Sequence, residues 1–225
     1  MESCVIFCAG GFAGLVAPVG EKDHIVAADG GLLHVRTAGL TPQTVLGDFD
    51  SLGYVPESAQ RFPVEKDDTD AMLAVRRGLS LGYKRFLLYG SLDGPRLDHT
   101  VANFQTLQFL ADRGALGYLI GTDYIATVVK NGSISFSPES RGILSVFCLG
   151  ADAGGVTLTG LKYPLQDGTL SAGFPLGVSN HFTGKTATVS VREGSLLLLL
   201  DRKNWENIYE HTIHPDPHPA GAAGR

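Results

Sequence analysis

The chain has 225 residues, of which 44% are hydrophobic and 18% charged, and its mean hydropathy is +0.09. This length and composition predict a globular protein with a sizeable core, built as one large domain or two small ones. The formal net charge is −5 and Lys and Arg form no run, which excludes a scaffold that holds nucleic acid through its phosphates. An anionic ligand would therefore need help from a metal ion or from backbone amides.

The three cysteines, Cys4, Cys8 and Cys148, show neither a metal-binding spacing nor an even count. We interpret them as small buried thiols in a reducing compartment. The N-terminus carries Glu2 in place of a basic start, and glycines interrupt its apolar run, unlike a signal peptide. The apolar run at 196–200 is far too short to span a bilayer. We expect a cytoplasmic protein without a membrane segment.

In the first half of the chain, short apolar runs alternate with helical segments. Strands are predicted at 5–8, 24–28, 44–46 and 86–89, and helices at 32–36, 71–81 and 97–111. The last helix is expected to place five residues on one side, with Leu107 and Leu110 beside them: Leu97, Val101, Phe104, Gln108 and Ala111. This alternation predicts an α/β domain with a mostly parallel sheet over residues 1–122.

The second half has a different character. Short runs, several of them alternating, are separated by turn signals such as Asn131-Gly132, Asp167-Gly168 and Glu193-Gly194. The pattern predicts an all-β sandwich or jelly-roll-like domain over residues 123–208. The tail at 209–225 is rich in Pro, Gly and Ala and is predicted to be disordered.

The most informative stretch is Gly47-Asp48-Phe49-Asp50-Ser51, which follows the third predicted strand. In an extended segment, Asp48 and Asp50 would point to the same side, and a cation between them would relieve their repulsion. An ordinary Asp- and Ser-rich turn explains the stretch equally well when it is taken alone.

Other acidic and basic residues follow neighbouring strands or begin helices. They are Asp29, Lys66, Asp67, Asp68, Asp70, Arg96, Asp98 and His99. Helix capping explains one or two of the aspartates at 67–70, but three in four positions exceed that need. In an open parallel sheet these loops converge on one edge, where ligands bind. Carboxylates that hold Mg²⁺, together with Arg96 for phosphate, suit phosphoryl or pyrophosphoryl transfer from a nucleoside triphosphate.

These residues resemble the thiamine pyrophosphokinase family. The resemblance is carried by six blocks in the family's order: Ala28-Asp29-Gly30-Gly31, Gly47-Asp48-Phe49-Asp50-Ser51, Lys66-Asp67-Asp68-Thr69-Asp70, Gly94-Pro95-Arg96-Leu97-Asp98-His99 with Asn103, Thr159-Gly160-Leu161-Lys162-Tyr163-Pro164-Leu165, and Ser179-Asn180.

The resemblance implies a cytoplasmic homodimeric transferase, with active sites between subunits, that moves pyrophosphate from ATP to the hydroxyl of thiamine and releases AMP. It implies that Mg²⁺ and the reacting phosphates are managed by Asp48, Asp50, Asp70 and Asp98. ATP would be bound by Asp29, Gly30, Gly31, Lys66, Arg96 and His99. Thiamine would be bound by Tyr163, Ser179 and Asn180. Either Asp70 or Asp98 is a candidate for the general base.

Two other functions fit the same residues. One is a different Mg²⁺-dependent phosphotransferase or phosphohydrolase that uses an Asp-x-Asp pair. The other is a sensor that binds a nucleotide or thiamine diphosphate without catalysis. The products formed from ATP, Mg²⁺ and thiamine distinguish the three.

Overall fold

The computed structural model describes residues 2–49, 59–61 and 68–214. Within these ranges the chain forms two compact units. The first comprises the described residues up to 107 together with 117–125, and the second comprises 108–116 and 126–214. No helix in the described ranges is both long and apolar enough to cross a membrane.

The first unit is built on a parallel sheet. Its strands are β1 (Cys4–Phe7), β2 (His24–Ala28), β3 (Thr44–Gly47), β4 (Gln60–Arg61), β5 (Arg85–Tyr89) and β6 (Leu116–Ile120). The order is β6-β5-β1-β2-β3-β4, and the pairs from β5 through β4 are all parallel. Every residue of the central strand β1 is buried, as expected where both faces of a parallel sheet are covered.

Three helices accompany this sheet: α1 (Gly31–Thr37), α2 (Asp70–Ser80) and α3 (Leu97–Ala111). Helix α2 buries small residues, and Gly78 lies so close to β1 that an added Cβ would be 2.7 Å from the Sγ of Cys4. Cys4 and Cys8 are buried free thiols, whereas Cys148 is half-buried. The prediction of an α/β first domain is confirmed.

The prediction for the packed side of α3 is correct only in part. Leu107, Leu110 and Ala111 are buried, whereas Leu97 and Val101 are 76% and 52% exposed. The apolar pattern was ambiguous because α3 carries apolar residues around most of its circumference, so hydrophobicity alone did not identify the covered side.

The second unit is an antiparallel β-sandwich, which confirms the predicted fold of this half. Its strands are β7 (Tyr124–Lys130), β8 (Ser133–Phe136), β9 (Ile143–Cys148), β10 (Ala153–Thr159), β11 (Leu165–Leu170), β12 (Asn180–His181), β13 (Ala187–Ser190), β14 (Ser195–Asp201) and β15 (Ile208–Thr212). One group of hydrogen-bonded strands has the order β12-β9-β14-β7, and the other group has the order β11-β10-β13-β8-β15. A short 3₁₀ helix, Arg202–Asn207, precedes β15.

Strand β15 lies within the segment predicted to be a disordered tail, so the prediction was wrong for residues 209–212. It pairs antiparallel with β8. His211 donates from Nε2 to the carbonyl of Val128 at 2.9 Å. Burial lowers the pKa of His211 to about 4, although the bond to Val128 acts in the opposite direction. A neutral, enclosed histidine therefore anchors this strand.

We expect His211→Gln to make the protein less sensitive to acid. Between about pH 6.5 and pH 4 the unfolded chain binds a proton at His211 and the folded chain does not, so acidification favours unfolding. The wild type should lose about 2 kcal/mol more unfolding free energy than the variant over this interval. Urea denaturation at pH 7.5, 5.5 and 4.5 measures the difference. Parallel pH profiles for the two proteins would contradict the role given to His211.

Candidate active site

Four strands of the first unit end at the same edge of the sheet. Because β1, β2, β3 and β5 are parallel, the residues that follow them are brought together at this edge. A pocket of about 410 Å³ opens there, a size typical of small-molecule sites. Its lining includes Cys8, Asp29, Asp70, Arg96, His99 and Asn103.

Three carboxylates converge at this edge. Asp29 follows β2, Asp48 follows β3 and Asp70 is the first residue of α2. One oxygen from each lies within 4.8 Å of the others. Asp29 is 9% exposed, and Asp48 and Asp70 are partly buried, so their mutual repulsion is poorly screened by water. A divalent cation among the three oxygens would relieve that repulsion.

Gly47 makes this approach possible. Its φ is +147°, and an added Cβ would lie 3.1 Å from the N, Cα and Cβ of Asp29. Asp29 itself has a φ of +49° and donates its amide to the carbonyl of Leu46 at 2.8 Å. A side chain at position 47 would therefore push the end of β3 away from Asp29, the residue that follows β2.

The start of α2 leaves Asp70 available for the site. Thr69 is the N-cap residue, and its Oγ1 accepts a hydrogen bond from the amide of Met72 at 3.2 Å. Asp68 forms an ion pair with Arg76, with 2.8 Å between Oδ2 and Nε. Thr69 thus caps the helix, so a capping role does not explain why position 70 carries a carboxylate.

Cys8 is among the residues that line the pocket near these carboxylates. Burial raises the pKa of Cys8 to about 12, and the negative charge of Asp70 adds to the increase. The thiol is consequently protonated at neutral pH.

Arg96, Asp98 and His99 occupy different surroundings. Arg96 and His99 line the pocket, whereas Asp98 is exposed and pairs with Arg96, with 2.5 Å between Oδ2 and Nη2. The hydrogen bond from Arg96 lowers the pKa of Asp98. Among the described residues, the carboxylate group includes Asp29 and does not include Asp98. The sequence predicts a metal role for Asp98 and a nucleotide role for Asp29, and both stay predictions.

Several glycines near the ends of the strands have structural roles, either in close packing or in backbone hydrogen bonds. Gly31 begins α1, and an added Cβ would lie 1.9 Å from the carbonyl oxygen of Phe7. The amides of Gly10 and Gly11 donate to the carbonyls of Gly90 and Asp93, so they are occupied within the protein. Gly30 is the N-cap residue of α1, and neither Gly30 nor Gly31 is among the pocket-lining residues.

Two predicted site residues, Asp50 and Lys66, lie outside the described residues. Asn103 shares the block that contains Arg96 and His99 but was not chosen as a binding residue. It is buried, lines the pocket and donates from Nδ2 to the carbonyl of Ser91 at 2.8 Å. Asn103 comes four residues after His99, on the same side of the helix, and this spacing could have identified it as a pocket residue.

The predicted thiamine-binding residues belong to the second unit. Tyr163 is 57% exposed, whereas Asn180 is 3% exposed. Asn180 bonds to the backbone of Tyr163, accepting from its amide at 2.9 Å and donating to its carbonyl at 2.7 Å. Ser179 is exposed, has a φ of +56° and donates its amide to the Oγ of Ser145 at 3.1 Å. The structure therefore brings Asn180 and Tyr163 together directly.

Known proteins share both units of this chain. "Thiamine pyrophosphokinase" of Bacillus subtilis (strain 168) is 27% identical over 186 residues, which cover 77% of this chain and 85% of the relative. A crystal structure of thiamine pyrophosphokinase from Bacillus subtilis superimposes with a TM-score of 0.76 at 25% identity, covering 89% of this chain and 99% of that one. The thiamin pyrophosphokinase of Geobacillus thermodenitrificans gives a TM-score of 0.71 at 27% identity, covering 89% and 97%.

The parallel sheet with its acidic pocket, followed in sequence by an antiparallel sandwich, defines a two-unit α/β enzyme. The family model "Thiamin pyrophosphokinase, catalytic domain" matches residues 19–115, and "Thiamin pyrophosphokinase, vitamin B1 binding domain" matches 133–196. The chain belongs to the thiamine pyrophosphokinase family. The predicted family and enzyme class are confirmed, and the formation of thiamine diphosphate is the activity that the family supports.

We expect Gly31→Ala to damage folding. The added methyl group would collide with backbone of β1, which no rotamer change relieves, so a loss of about 3 kcal/mol in unfolding free energy is expected. Urea denaturation measures it. Gly20→Ala is the matched control, because its Cβ would meet only the Oδ2 of Asp23 at 3.6 Å. A Gly31→Ala protein as stable as this control but with a raised KM for nucleotide would instead assign Gly31 to binding.

Proposed function

We propose that the pocket of the first unit binds ATP with Mg²⁺, and that the enzyme transfers the terminal pyrophosphate to the hydroxyl of thiamine, releasing AMP. The observation that carries this proposal is the group formed by Asp29, Asp48 and Asp70 at the edge of a pocket also lined by Arg96 and His99. Carboxylates that can hold a metal ion, with an arginine nearby, are typical of sites that bind nucleotide phosphates.

The donor set fits Mg²⁺. This ion prefers carboxylate oxygens and retains several waters, and two oxygens bound to one ion lie roughly 3–4 Å apart. The three oxygens stand within 4.8 Å, so a small closing movement brings them to bonding positions. When bound, Mg²⁺ supplies charge neutralisation to the reacting phosphates. Asp29, Asp48 and Asp70 are the residues that hold it in this proposal, with Asp50 as a further candidate.

Arg96 supplies the phosphate contact from the protein. Its guanidinium is 65% exposed and pairs with an equally exposed Asp98. Exposed ion pairs contribute little to stability, so Arg96 exchanges Asp98 for phosphate oxygens at low cost. Phosphate accepts the same two-pronged hydrogen bonding that Arg96 now gives to a carboxylate.

The transfer is a direct in-line attack by the thiamine hydroxyl, with no intermediate bound to the protein. Asp70 and Asp98 are both candidates for the general base that accepts the proton of the hydroxyl. Recovery of protein labelled by [γ-³²P]ATP after rapid quenching would overturn the direct mechanism.

The products identify the reaction. Incubation with ATP, Mg²⁺ and thiamine should yield AMP and thiamine diphosphate in equal amounts, measured by chromatography. ADP or free phosphate would indicate another phosphotransferase or a hydrolase. Nucleotide or thiamine binding without turnover would indicate a sensor.

Asp48→Asn should reduce kcat by about 100-fold or more while leaving the protein folded, because it removes one of three charges that neutralise the metal ion. Asp167→Asn is the matched control. Asp167 is an exposed aspartate of the second unit whose φ of +46° asparagine also tolerates. Unchanged turnover in Asp48→Asn would exclude its metal role, and equal losses in both variants would indicate a general effect of the substitution.

We also propose that the enzyme is a homodimer with active sites between subunits. The second unit carries exposed apolar side chains, including Phe174 at 65% and Leu176 at 59%. Apolar surface of this kind marks association sites. Light scattering should give about twice the 23.8 kDa of the chain, and a mass equal to one chain would reject the dimer.

A further inference from the structure

One exposed aromatic residue in the second unit has its backbone hydrogen-bonded to a buried side-chain amide. Tyr163 is 57% exposed, and the Nζ of Lys162 lies 5.2 Å from the centre of its ring. The backbone of Tyr163 is nevertheless fixed, since both its amide and its carbonyl bond to Asn180. This arrangement makes the backbone of Tyr163 rigid and leaves its ring accessible.

The two residues before Tyr163 pair with the two residues after Asn180. Lys162 donates its amide to the carbonyl of His181 at 2.9 Å, and Leu161 forms an isolated β-bridge with Phe182. The side chain of Asn180 thus continues the pairing between the two segments by one residue, in the place of a backbone peptide. Without it, the pairing would stop at Lys162.

We propose that Asn180 is a positioning residue, which fixes Tyr163 against the acceptor substrate and does not itself touch that substrate. This inference rests on the proposed function and on the family resemblance, which implies that Tyr163 contacts thiamine. The family resemblance implies that Asn180 contacts thiamine directly. The positioning role replaces that expectation.

The hydrogen bonding of Asn180 supports the indirect role. Its Oδ1 accepts from the amides of both Tyr163 and His181, each at 2.9 Å, which uses both lone pairs. Its Nδ2 donates to the carbonyl of Tyr163. The side chain is also 3% exposed, so a ligand has almost no surface of Asn180 to meet. A ring on a fixed backbone has fewer conformations to lose when it binds an aromatic partner, which lowers the entropy cost of binding.

A double-mutant cycle tests the proposal through KM for thiamine, with KM for ATP measured alongside. Tyr163→Ala should raise KM for thiamine about 3- to 10-fold, the range expected for one lost aromatic contact. Asn180→Ala should raise it by a similar factor and leave KM for ATP unchanged. In the Tyr163→Ala background, Asn180→Ala should add no further increase, because the group that Asn180 positions is already gone.

Asn204 provides a matched control within the same unit. It is 1% exposed and holds Arg141 by the same two bonds, accepting from the amide at 3.0 Å and donating to the carbonyl at 2.9 Å. Asn204→Ala should cost similar thermal stability without changing KM for thiamine. If both variants raise KM equally, general loosening of the sandwich explains the effect and the proposal fails.

Hydrogen exchange at the Tyr163 amide provides a readout that does not depend on catalysis. Protection should fall in Asn180→Ala and persist in Asn204→Ala, and unchanged protection in Asn180→Ala would overturn the proposal. If Asn180→Ala does not fold, Asn180→Asp replaces it, since that change keeps the acceptor oxygens and loses the bond to the Tyr163 carbonyl.

The kinetic outcomes separate the two proposals. Additive increases in KM would show direct contact between Asn180 and thiamine and overturn the positioning role, while leaving the proposed reaction intact. No effect of Tyr163→Ala on KM for thiamine would overturn the acceptor role of Tyr163 and the positioning role with it. Absence of thiamine diphosphate in the wild type, with Tyr163 protection lost in Asn180→Ala, would overturn the proposed reaction and reduce Asn180 to a structural brace.

Discussion

The mutual repulsion of Asp29, Asp48 and Asp70 is the constraint on which the first unit depends. Three carboxylate oxygens within 4.8 Å of one another repel, and a cation among them would relieve that repulsion. Backbone features hold them together: parallel strands that end at one edge, Gly47 packed against Asp29, and a helix capped by Thr69. The fold therefore gathers negative charge at this edge, and in the proposed function the binding of Mg²⁺ there would also stabilise the folded state.

The fold could be predicted because it depends on local patterns. Apolar runs that end at Gly or Asp identified the strands preceding Asp29 and Asp48, and alternation without helices identified the sandwich. The covered side of α3 could not be predicted, since Leu97 and Leu107 are equally apolar and only the neighbouring chain decides which is buried. Strand β15 was missed because its sequence is polar and its anchor, His211, bonds to Val128, 83 residues away.

The candidate site was predictable in composition but not in detail. The spacing of Asp48 after a strand and Asp70 at a helix start placed both at the sheet edge. The position of Asp98 on an exposed turn of α3, and that of Asp29 beside Gly47, depend on how strands and helices pack, which spacing along the chain does not specify. The pairing of Asn180 with Tyr163 joins residues 17 apart through a side-chain amide, and no sequence motif encodes such a bond.

The buried thiol of Cys8 has a consequence for inhibitor chemistry. A cysteine in the wall of a substrate pocket is an attractive target for electrophilic warheads, which react with the thiolate. Here burial and the charge of Asp70 raise the pKa of Cys8 to about 12, so the thiolate is scarce at neutral pH. A scarce thiolate disfavours covalent capture at this residue, so reversible contacts with the other lining residues are the more direct source of affinity.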